Sequence, residues 1–274
     1  MAIVLVTGGT GALGREIVAR LVAGRHRTRI LRHSGGGHPA DPSGVEVVSG
    51  DLVSGAGIRD AVAAATVIIH AATSVADPVG VDVEGTRRLL AAAGEVTPAA
   101  HVVYISIVGV EHSTFPYDAA KRAAETLVAQ AGLPWSILRA TQFHTFARGI
   151  IQSRGADTAA EVVALAGVRL QSIDSGEVAG RLVALAEMGP LGHIAAMGGP
   201  EILTIEAMTT AYLRAHGRAA TVRSASLSNA LYDALRSVDQ LTPDHAYGLL
   251  TWNDFLRRPS PSVPAPPDDG WVDG

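Results

Sequence analysis

The stretch Thr7-Gly8-Gly9-Thr10-Gly11-Ala12-Leu13-Gly14 directly follows the apolar run Ile3-Val4-Leu5-Val6. Glycine lets a chain turn sharply between a strand and a helix, and it lets a pyrophosphate approach the backbone closely. The free N–H groups and the positive dipole end of the helix then favour the phosphate charge. Apolar residues continue at helical spacing as far as Val22, and Gly24 predicts the end of the helix. This context predicts a dinucleotide-binding turn rather than an ordinary tight connection.

The composition limits the classes of protein to which this chain can belong. Its 274 residues, 47% of them hydrophobic, are enough for one large α/β domain or a core with an added lobe. No apolar run approaches the ~18 residues of a membrane-spanning helix, and the first apolar run lacks the basic flank of a signal peptide. The net charge of −4 argues against a nucleic-acid partner. We therefore expect a soluble, cytoplasmic protein that acts on a small molecule, and the oligomeric state stays open.

The cysteine and histidine content argues against disulfides, thiolate catalysis and metal sites. The absence of cysteine removes disulfides, thiolate catalysis and cysteine zinc sites. The ten histidines show neither an H-E-x-x-H motif nor pairs at i, i+4, so we expect no metal site.

Strand-like runs alternate with helical patterns through the first two-thirds of the chain. Strands are predicted at Arg29–Leu31, Val45–Val48, Val67–His70, His101–Ser106 and Trp135–Leu138, with helices around 54–65, 79–93 and 117–131. This alternation predicts an α/β fold with a doubly wound parallel sheet of the Rossmann type. Later segments suggest strands near 168–173 and 193–197 and helices at 175–187, 204–216 and from Thr251. We expect a cofactor-binding core at 1–140, a small substrate-binding lobe at 141–260 interleaved with it, and a disordered tail at 261–274.

A second set of residues suggests acid–base chemistry. Ser106 ends the fifth strand, and Tyr117 and Lys121 follow four residues apart, which places them on one face of a helix. A neighbouring ammonium favours the phenolate and lowers a tyrosine pKa from its usual value of ~10. A serine hydroxyl can hold a carbonyl oxygen in place. The Y-x-x-x-K spacing is common by chance, but its position after a serine-tipped strand makes Ser106, Tyr117 and Lys121 the predicted catalytic residues.

Together these residues resemble the short-chain dehydrogenase/reductase superfamily. Gly8-Gly9-Thr10-Gly11, taken with Gly132-Leu133-Pro134-Trp135-Ser136-Ile137-Leu138-Arg139, is more similar to its atypical, NmrA-like branch, and the resemblance covers about residues 1–215. It implies that the pyrophosphate contacts Gly8, Thr10, Gly11, Ala12, Leu13 and Gly14. It also implies that Asp51 and Leu52 flank the adenine, and that Ala71, Ala72 and Thr73 line the ribose and nicotinamide. Lys121 would hold the nicotinamide ribose, with Thr141, Gln142 and Phe143 against the nicotinamide and substrate.

The chain departs from this superfamily where the proton is delivered. Its asparagines are Asn229 and Asn253, so the helix asparagine that assists a proton relay is missing. Asp82 occupies the position where many relatives with an extended chain have asparagine. The path of the proton therefore stays open.

Two further expectations concern specificity. The second strand ends Leu31-Arg32-His33-Ser34 with no acid to bind a ribose 2′-hydroxyl. Arg32 and Ser34 suit a 2′-phosphate, which predicts NADP(H) in preference to NAD(H). Phe143 and Phe146 suggest an apolar substrate, and Gln142 and His144 could orient it. His144 could equally be a polar loop residue.

The most specific reading is an NADPH-dependent oxidoreductase of atypical short-chain type that reduces a carbonyl or conjugated small apolar molecule, for example in a biosynthetic pathway. Two alternatives remain on the same fold: a non-enzymatic, NADP-sensing regulator and a non-redox isomerase or cyclase. The sequence determines neither the substrate nor the direction of the reaction.

Overall fold

A computed structural model describes residues 3–33 and 44–258. Within this part of the chain the strands are β1 (Ile3–Thr7), β2 (Arg27–Arg32), β3 (Val45–Ser49), β4 (Val67–His70), β5 (His101–Ile107), β6 (Trp135–Ala140), β7 (Glu161–Leu165), β8 (Arg169–Leu170), β9 (Gly192–His193), β10 (Leu203–Thr204) and β11 (Thr221–Ala225). The helices are α1 (Ala12–Ala23), α2 (Ile58–Val62), α3 (Thr86–Gly94), α4 (Pro116–Gln130), α5 (His144–Ser153), α6 (Ser175–Met188), α7 (Ile205–Ala215), α8 (Ala230–Leu235) and α9 (Trp252–Arg257). A π-helical segment covers Pro78–Gly85, and short 3₁₀ turns cover Val238–Gln240 and Pro243–His245.

Seven strands form the central parallel sheet in the order β3-β2-β1-β4-β5-β6-β9. Val6 of β1 pairs with Ile30 of β2 on one side and with Ile69 of β4 on the other. Strands β1 and β4 are almost wholly buried and apolar because helices cover both faces of such a sheet. The strand order reverses between β1 and β4, and ligands bind at the carboxyl ends of strands at such a switch point. The predicted doubly wound α/β fold is confirmed.

The predicted helix at 79–93 is two elements rather than one. Pro78–Gly85 is π-helical, and the α-helix α3 begins only at Thr86. Side chains take over backbone hydrogen bonding here: the Asp77 carboxylate accepts from Gly80 N at 2.9 Å, and Thr86 Oγ1 donates to Asp82 O at 2.5 Å. π-Helical turns are frequent at functional sites. The strand predicted near 168–173 is also shorter, with only Arg169–Leu170 in a ladder.

Two compact units can be separated in the chain. The first unit comprises the residues up to Ser106 with Pro116–Arg139 and Ser175–Ala195. It contains the central sheet, and helix α6 packs against α1 within it. The second unit comprises Ile107–Phe115, Ala140–Asp174 and the residues from Ala196 onward. The predicted division by function, with cofactor binding before residue 140 and substrate binding after it, stays a prediction.

The second unit has its own apolar core. Its strand pairs are the parallel β7–β11 and the antiparallel β8–β10. Trp252 of α9 is fully buried, and its indole N–H donates to Met208 O at 3.1 Å. Thr251 and Asp254 form a capping box, so the predicted helix start at Thr251 is confirmed. The tail predicted at 261–274 lies outside the described residues.

Among the described residues, none of the helices combines the length and the apolar character needed to cross a membrane.

Candidate active site

The glycine turn after β1 is shaped by close backbone contacts. Gly8 has φ +70, and a Cβ there would lie 2.6 Å from the carbonyl oxygen of Ala71. A Cβ on Gly14 would overlap the Gly8 carbonyl. By contrast, a Cβ on Gly11 would meet only the Gly8 oxygen at 3.3 Å, and Gly11 and Ala12 are exposed. Gly8 and Gly14 therefore hold the turn together, while Gly11 leaves its outer side open.

This turn fits a pyrophosphate. Gly11 is the N-cap of α1, no side chain caps it, and the first turn contains no acidic residue. The first N–H groups of an α-helix have no intrahelical acceptor, so they are available to an anion together with the positive end of the dipole. Thr10, Ala12 and Leu13 complete this segment as the sequence predicts. The nicotinamide dinucleotide implied by the turn is thus compatible with the residues present.

A buried hydrogen-bonded chain connects the turn to the π-helical segment. Thr7 Oγ1 lies 2.6 Å from His70 Nδ1, and His70 Nε2 lies 2.8 Å from Thr86 Oγ1. Because Thr86 gives its hydrogen to Asp82 O, it accepts from His70 Nε2, and Thr7 donates to Nδ1. Burial, and next the charge of Lys121, lower the pKa of His70 to about 3. His70 is therefore neutral and fixes the backbone that carries Asp82.

Four side chains form what we call the Tyr117 cluster: Thr73, Asp82, Tyr117 and Lys121. Thr73 Oγ1 donates to Asp82 Oδ1 at 2.7 Å and lies 2.8 Å from the Tyr117 hydroxyl. Lys121 Nζ lies 3.6 Å from Asp82 Oδ1. Asp82 is 1% exposed and Lys121 is 3% exposed, so both charges are held away from water.

Burial dominates the ionisation of this cluster. It raises the pKa of Asp82 against the opposing effect of Lys121. It lowers the pKa of Lys121 against the opposing effect of Asp82. Such opposed shifts on a buried pair are typical of functional sites, although structural ion pairs also produce them.

The expected lowering of the Tyr117 pKa is wrong. Burial raises the pKa of Tyr117 first, and the negative charges of Asp82 and Asp118 raise it further. The expectation considered the ammonium of Lys121 alone, whereas the structure pairs that ammonium with Asp82. In this arrangement Tyr117 is a phenol at neutral pH.

Strand β5 contributes two buried hydroxyls without a protein partner, those of Tyr104 and Ser106. These residues are two apart, so they lie on the same face of the strand. The Tyr104 ring is also close to the cluster, since Lys121 Nζ lies 4.4 Å from its centroid. A buried unpaired hydroxyl is rare in native proteins and indicates a missing ligand or water. The predicted contact of Ser106 with a substrate oxygen stays a prediction.

The predicted adenine-flanking residues also organise their own loop. The Asp51 carboxylate accepts from Val53 N at 2.9 Å and from Ser54 N at 3.1 Å. Leu52 is buried in the apolar core of the first unit.

Arg32 ends β2 and is half-buried, and its carbonyl accepts from Gly50 N at 2.8 Å. Ser34 lies outside the described residues. Ala71 and Ala72 donate their N–H groups to the carbonyl and hydroxyl of Thr7 at 3.3 Å each.

Thr141, a predicted cofactor-binding residue, and the predicted substrate residues lie in the second unit. Thr141 Oγ1 donates to Gln171 O at 2.5 Å, and Gln142 Nε2 donates to Gln240 Oε1 at 3.1 Å. Phe143 is the half-buried N-cap of α5, while Phe146 packs on the apolar core of this unit. Their roles toward a substrate stay predictions.

His144 makes its hydrogen bonds and ring contacts with residues of the second unit. It is 1% exposed, its Nδ1 lies 2.8 Å from Ser172 Oγ, and its Nε2 lies 3.0 Å from Leu250 O. Its ring also contacts Trp252 and Phe255. Since both ring nitrogens are engaged, this arrangement favours the alternative of a structural histidine over a substrate contact.

Sequence reasoning did not assign site roles to His70 and Asp82. For Asp82 a signal was present, because a carboxylate replaces an asparagine in Asp82-Val83-Glu84-Gly85-Thr86. For His70, whose ring nitrogens both face threonine hydroxyls, the sequence offers no comparable signal.

The sheet, the glycine turn and the adjoining cluster define a Rossmann-type dinucleotide-binding protein. The chain belongs to the NAD(P)H-binding family, whose sequence profile matches residues 8–188. This match confirms the resemblance inferred from the motifs.

A curated relative and two solved structures are similar to this chain. A (4-alkanoyl-5-oxo-2,5-dihydrofuran-3-yl)methyl phosphate reductase from Streptomyces griseus is 31% identical over 219 residues, covering 78% of this chain and 74% of the relative. A nucleoside-diphosphate-sugar epimerase from Staphylococcus aureus aligns with a TM-score of 0.75 at 16% identity, over 94% of this chain and 100% of that one. An NADPH-dependent quinone oxidoreductase from Escherichia coli, solved with NADPH, aligns with a TM-score of 0.72 at 16% identity, over 92% and 98%. At such identities the two structures support the fold alone.

Proposed function

We propose that this chain, an NAD(P)H-dependent oxidoreductase, uses NADPH to reduce a carbonyl or conjugated carbonyl group of a small apolar molecule. The observation that carries the proposal is the Tyr117 cluster in the unit that contains the glycine turn. A half-buried phenol, a buried lysine and an unpaired serine hydroxyl are the groups that a carbonyl reduction needs.

The role of each residue follows from its chemistry. Reduced nicotinamide, when bound, supplies the hydride. Ser106 donates a hydrogen bond to the substrate oxygen, which gains negative charge as the hydride arrives. Tyr117 gives its proton to that oxygen, and a positioned acid contributes typically 10²–10⁴-fold. Lys121 holds the cofactor ribose and balances the charge of Asp82. Gly11 and the first N–H groups of α1 bind the pyrophosphate, and Gly8 and Gly14 give the turn the close backbone packing that this requires.

The preference for NADPH rests on the end of β2. A charged guanidinium makes strong hydrogen bonds to phosphate, and Arg32 is the residue there that can meet a 2′-phosphate. The second strand itself ends without an acid that could bind a ribose 2′-hydroxyl.

The substrate class draws on the relative from Streptomyces griseus. Its name describes reduction of an oxo-dihydrofuran that carries an alkanoyl group and a phosphate. The alkanoyl group of such a compound is both an apolar chain and a carbonyl, which are the two features that we propose for the substrate. We therefore propose alkanoyl-substituted oxo compounds as the first substrates to test.

The test is NADPH consumption, followed by its absorbance, with a panel of alkanoyl-substituted lactones, quinones and simple ketones. We expect steady oxidation of NADPH and a product heavier by two hydrogens in mass spectrometry. NADPH binding without consumption and without product would support the sensor instead. A product of unchanged mass with no net NADPH consumption would support the isomerase or cyclase.

A further inference from the structure

Thr73 lies between two oxygens that can each accept its single hydrogen. Its Oγ1 is 2.7 Å from Asp82 Oδ1 and 2.8 Å from the Tyr117 hydroxyl. A threonine hydroxyl donates one hydrogen bond and can accept others. While Tyr117 is a phenol it can donate to Thr73, and Thr73 can donate to the carboxylate. Once Tyr117 loses its proton, two anionic oxygens compete for the same Thr73 hydrogen.

Asp82 keeps other hydrogen-bond donors when the Thr73 hydroxyl rotates away from it. Ser74 N donates to Asp82 Oδ2 at 3.0 Å, and the Lys121 ammonium lies 3.6 Å from Oδ1. A phenolate at Tyr117 would have greater need of the hydroxyl, because burial opposes its charge. The Thr73 hydrogen thus has two possible acceptors, Asp82 Oδ1 and the Tyr117 oxygen.

We propose that Thr73 is a hydroxyl switch for Tyr117, with its hydrogen on Asp82 while Tyr117 is a phenol and on Tyr117 once the phenolate forms. This inference rests on the proposed role of Tyr117 as the acid. Thr73 and Asp82 are positioning residues: Thr73 stabilises the phenolate, and Asp82 holds the resting hydroxyl in place.

The step is balanced without a further reactant. The O–H bond of Tyr117 breaks, and its proton forms the new O–H bond of the product. Thr73 keeps its own proton and only rotates about its C–O bond. Tyr117 afterwards takes up one H⁺ from the bulk solvent, which is the proton that the reduction consumes together with the hydride, so the switch returns to its starting position.

The charges around Tyr117 come from three elements. Asp82 lies on the π-helical segment, Asp118 and Lys121 lie on the same helix as Tyr117, and the Tyr104 phenol comes from β5. Asp82 and Asp118 both oppose the phenolate. Replacing Asp82 by asparagine removes one of these charges and leaves a neutral amide oxygen, a weaker acceptor, in competition with Tyr117 for the Thr73 hydrogen.

The first experiment separates the hydroxyl of Thr73 from its shape. Thr73→Val keeps the shape and removes the hydroxyl, whereas Thr73→Ser keeps the hydroxyl and removes a methyl group. We expect Thr73→Val to lower kcat by about tenfold with little change in substrate KM, and Thr73→Ser to keep most of kcat. Thr126→Val, an exposed threonine on α4, is the matched control and should be neutral. Full activity of Thr73→Val, or equal loss in both Thr73 variants, would overturn the proposal.

The second experiment needs no turnover. Tyrosinate absorbance of the cofactor-free protein is titrated, and the Tyr117→Phe trace is subtracted in the same background. Asp82→Asn should lower the pKa of Tyr117 by about one pH unit or more. In that background Thr73→Val should raise it again by about one pH unit, and Thr73→Ser should not. An unchanged Tyr117 pKa in Asp82→Asn, or the same result for Val and Ser, contradicts the switch.

The two experiments fail in different ways. If no substrate is reduced, the proposed function fails, while the titration still decides how Thr73 and Asp82 act on Tyr117. If reduction is found and the titration shows no effect, the reductase stands and the switch is wrong.

Discussion

The two units treat their buried polar groups differently. In the first unit the buried hydroxyls of Tyr104 and Ser106 have no protein partner. In the second unit His144 has both ring nitrogens engaged, and Gln171 bonds with Gly199 and Thr242 through both ends of its amide. Buried unpaired nitrogens occur in both units, at Arg29, His101 and Arg154, so the difference among the described residues concerns hydroxyls.

Unpaired buried hydroxyls suit a reacting site, whereas fully bonded buried polar groups stabilise the fold. A fully bonded buried network stabilises and specifies one structure. An unpaired buried hydroxyl costs stability, and a native protein keeps it where a ligand or water completes it. We therefore expect the removal of an unpaired hydroxyl in the first unit to change activity more than stability, and substitutions around His144 to do the reverse.

The largest effect is expected from Tyr117→Phe. This change removes only the hydroxyl that supplies the proton, so turnover should fall about 100-fold or more. NADPH binding, measured by fluorescence or calorimetry, should persist. Tyr247→Phe removes a hydroxyl from a half-exposed tyrosine of the second unit and should leave turnover unchanged. Full activity of Tyr117→Phe on a verified substrate would assign the proton to another group.

Two serine substitutions compare the units directly. Ser106→Ala should lower kcat by about 100-fold, as expected for a lost oxyanion donor, with no loss of unfolding free energy because the hydroxyl has no protein partner. Ser172→Ala should leave the buried Nδ1 of His144 unpaired and cost about 1–3 kcal/mol of unfolding free energy. Denaturant unfolding and kinetics on both variants provide the measurement. If both variants lose kcat, or both lose unfolding free energy, the expected difference between the units is wrong.

His70 gives the first unit a pH-dependent stability. Its folded pKa is about 3, below the ordinary 6.5, so between these values the unfolded chain binds a proton that the folded chain does not. Stability is therefore fully present above pH ~6.5 and falls as the pH falls, by about 2 kcal/mol at about pH 5 from this group. His70→Asn should remove that part of the slope in denaturant unfolding. An equal slope in both proteins would mean that other groups produce it.

The fold could be predicted because it depends on periodicity and on glycine. Strands β1, β4 and β5 are apolar runs of the expected length, and the glycine turn marks the start of α1. The π-helical segment could not be predicted, because Val79, Val81 and the residues after them fit an α-helical pattern equally well. Its form depends on side-chain hydrogen bonds from Asp77 and Thr86.

The residue types of the site could be predicted from the sequence, but the ionisation of Tyr117 could not. Spacing placed Tyr117 and Lys121 on one helix face, and the structure agrees. The expected direction of the Tyr117 pKa was wrong because burial raises it first, and Asp82, which comes from another element thirty-five residues earlier in the sequence, raises it further. Sequence spacing reports neighbours on one helix, whereas burial and cross-element charges decide ionisation.

Arg32→Ala tests the cofactor preference at the end of β2. Removing the guanidinium should weaken NADPH binding about tenfold and leave NADH binding nearly unchanged, because only the 2′-phosphate loses a partner. Arg122→Ala, an exposed arginine on α4, is a control for the change in charge. Equal dissociation constants for NADPH and NADH in the unmodified protein would contradict the preference before any variant is made.

The smallest effect is expected from Phe143→Ala, which tests whether the second unit contributes to substrate binding. Phe143 is half-buried at the start of α5, and truncating such a ring removes apolar contact area. The substrate KM should rise about fivefold, while kcat and the NADPH dissociation constant change little, because only uniform binding of the substrate is lost. Phe146→Ala is the contrasting variant, since Phe146 packs on the core and should cost unfolding free energy. If Phe143→Ala weakens NADPH binding while the fold persists, Phe143 belongs to the cofactor site and its assignment changes.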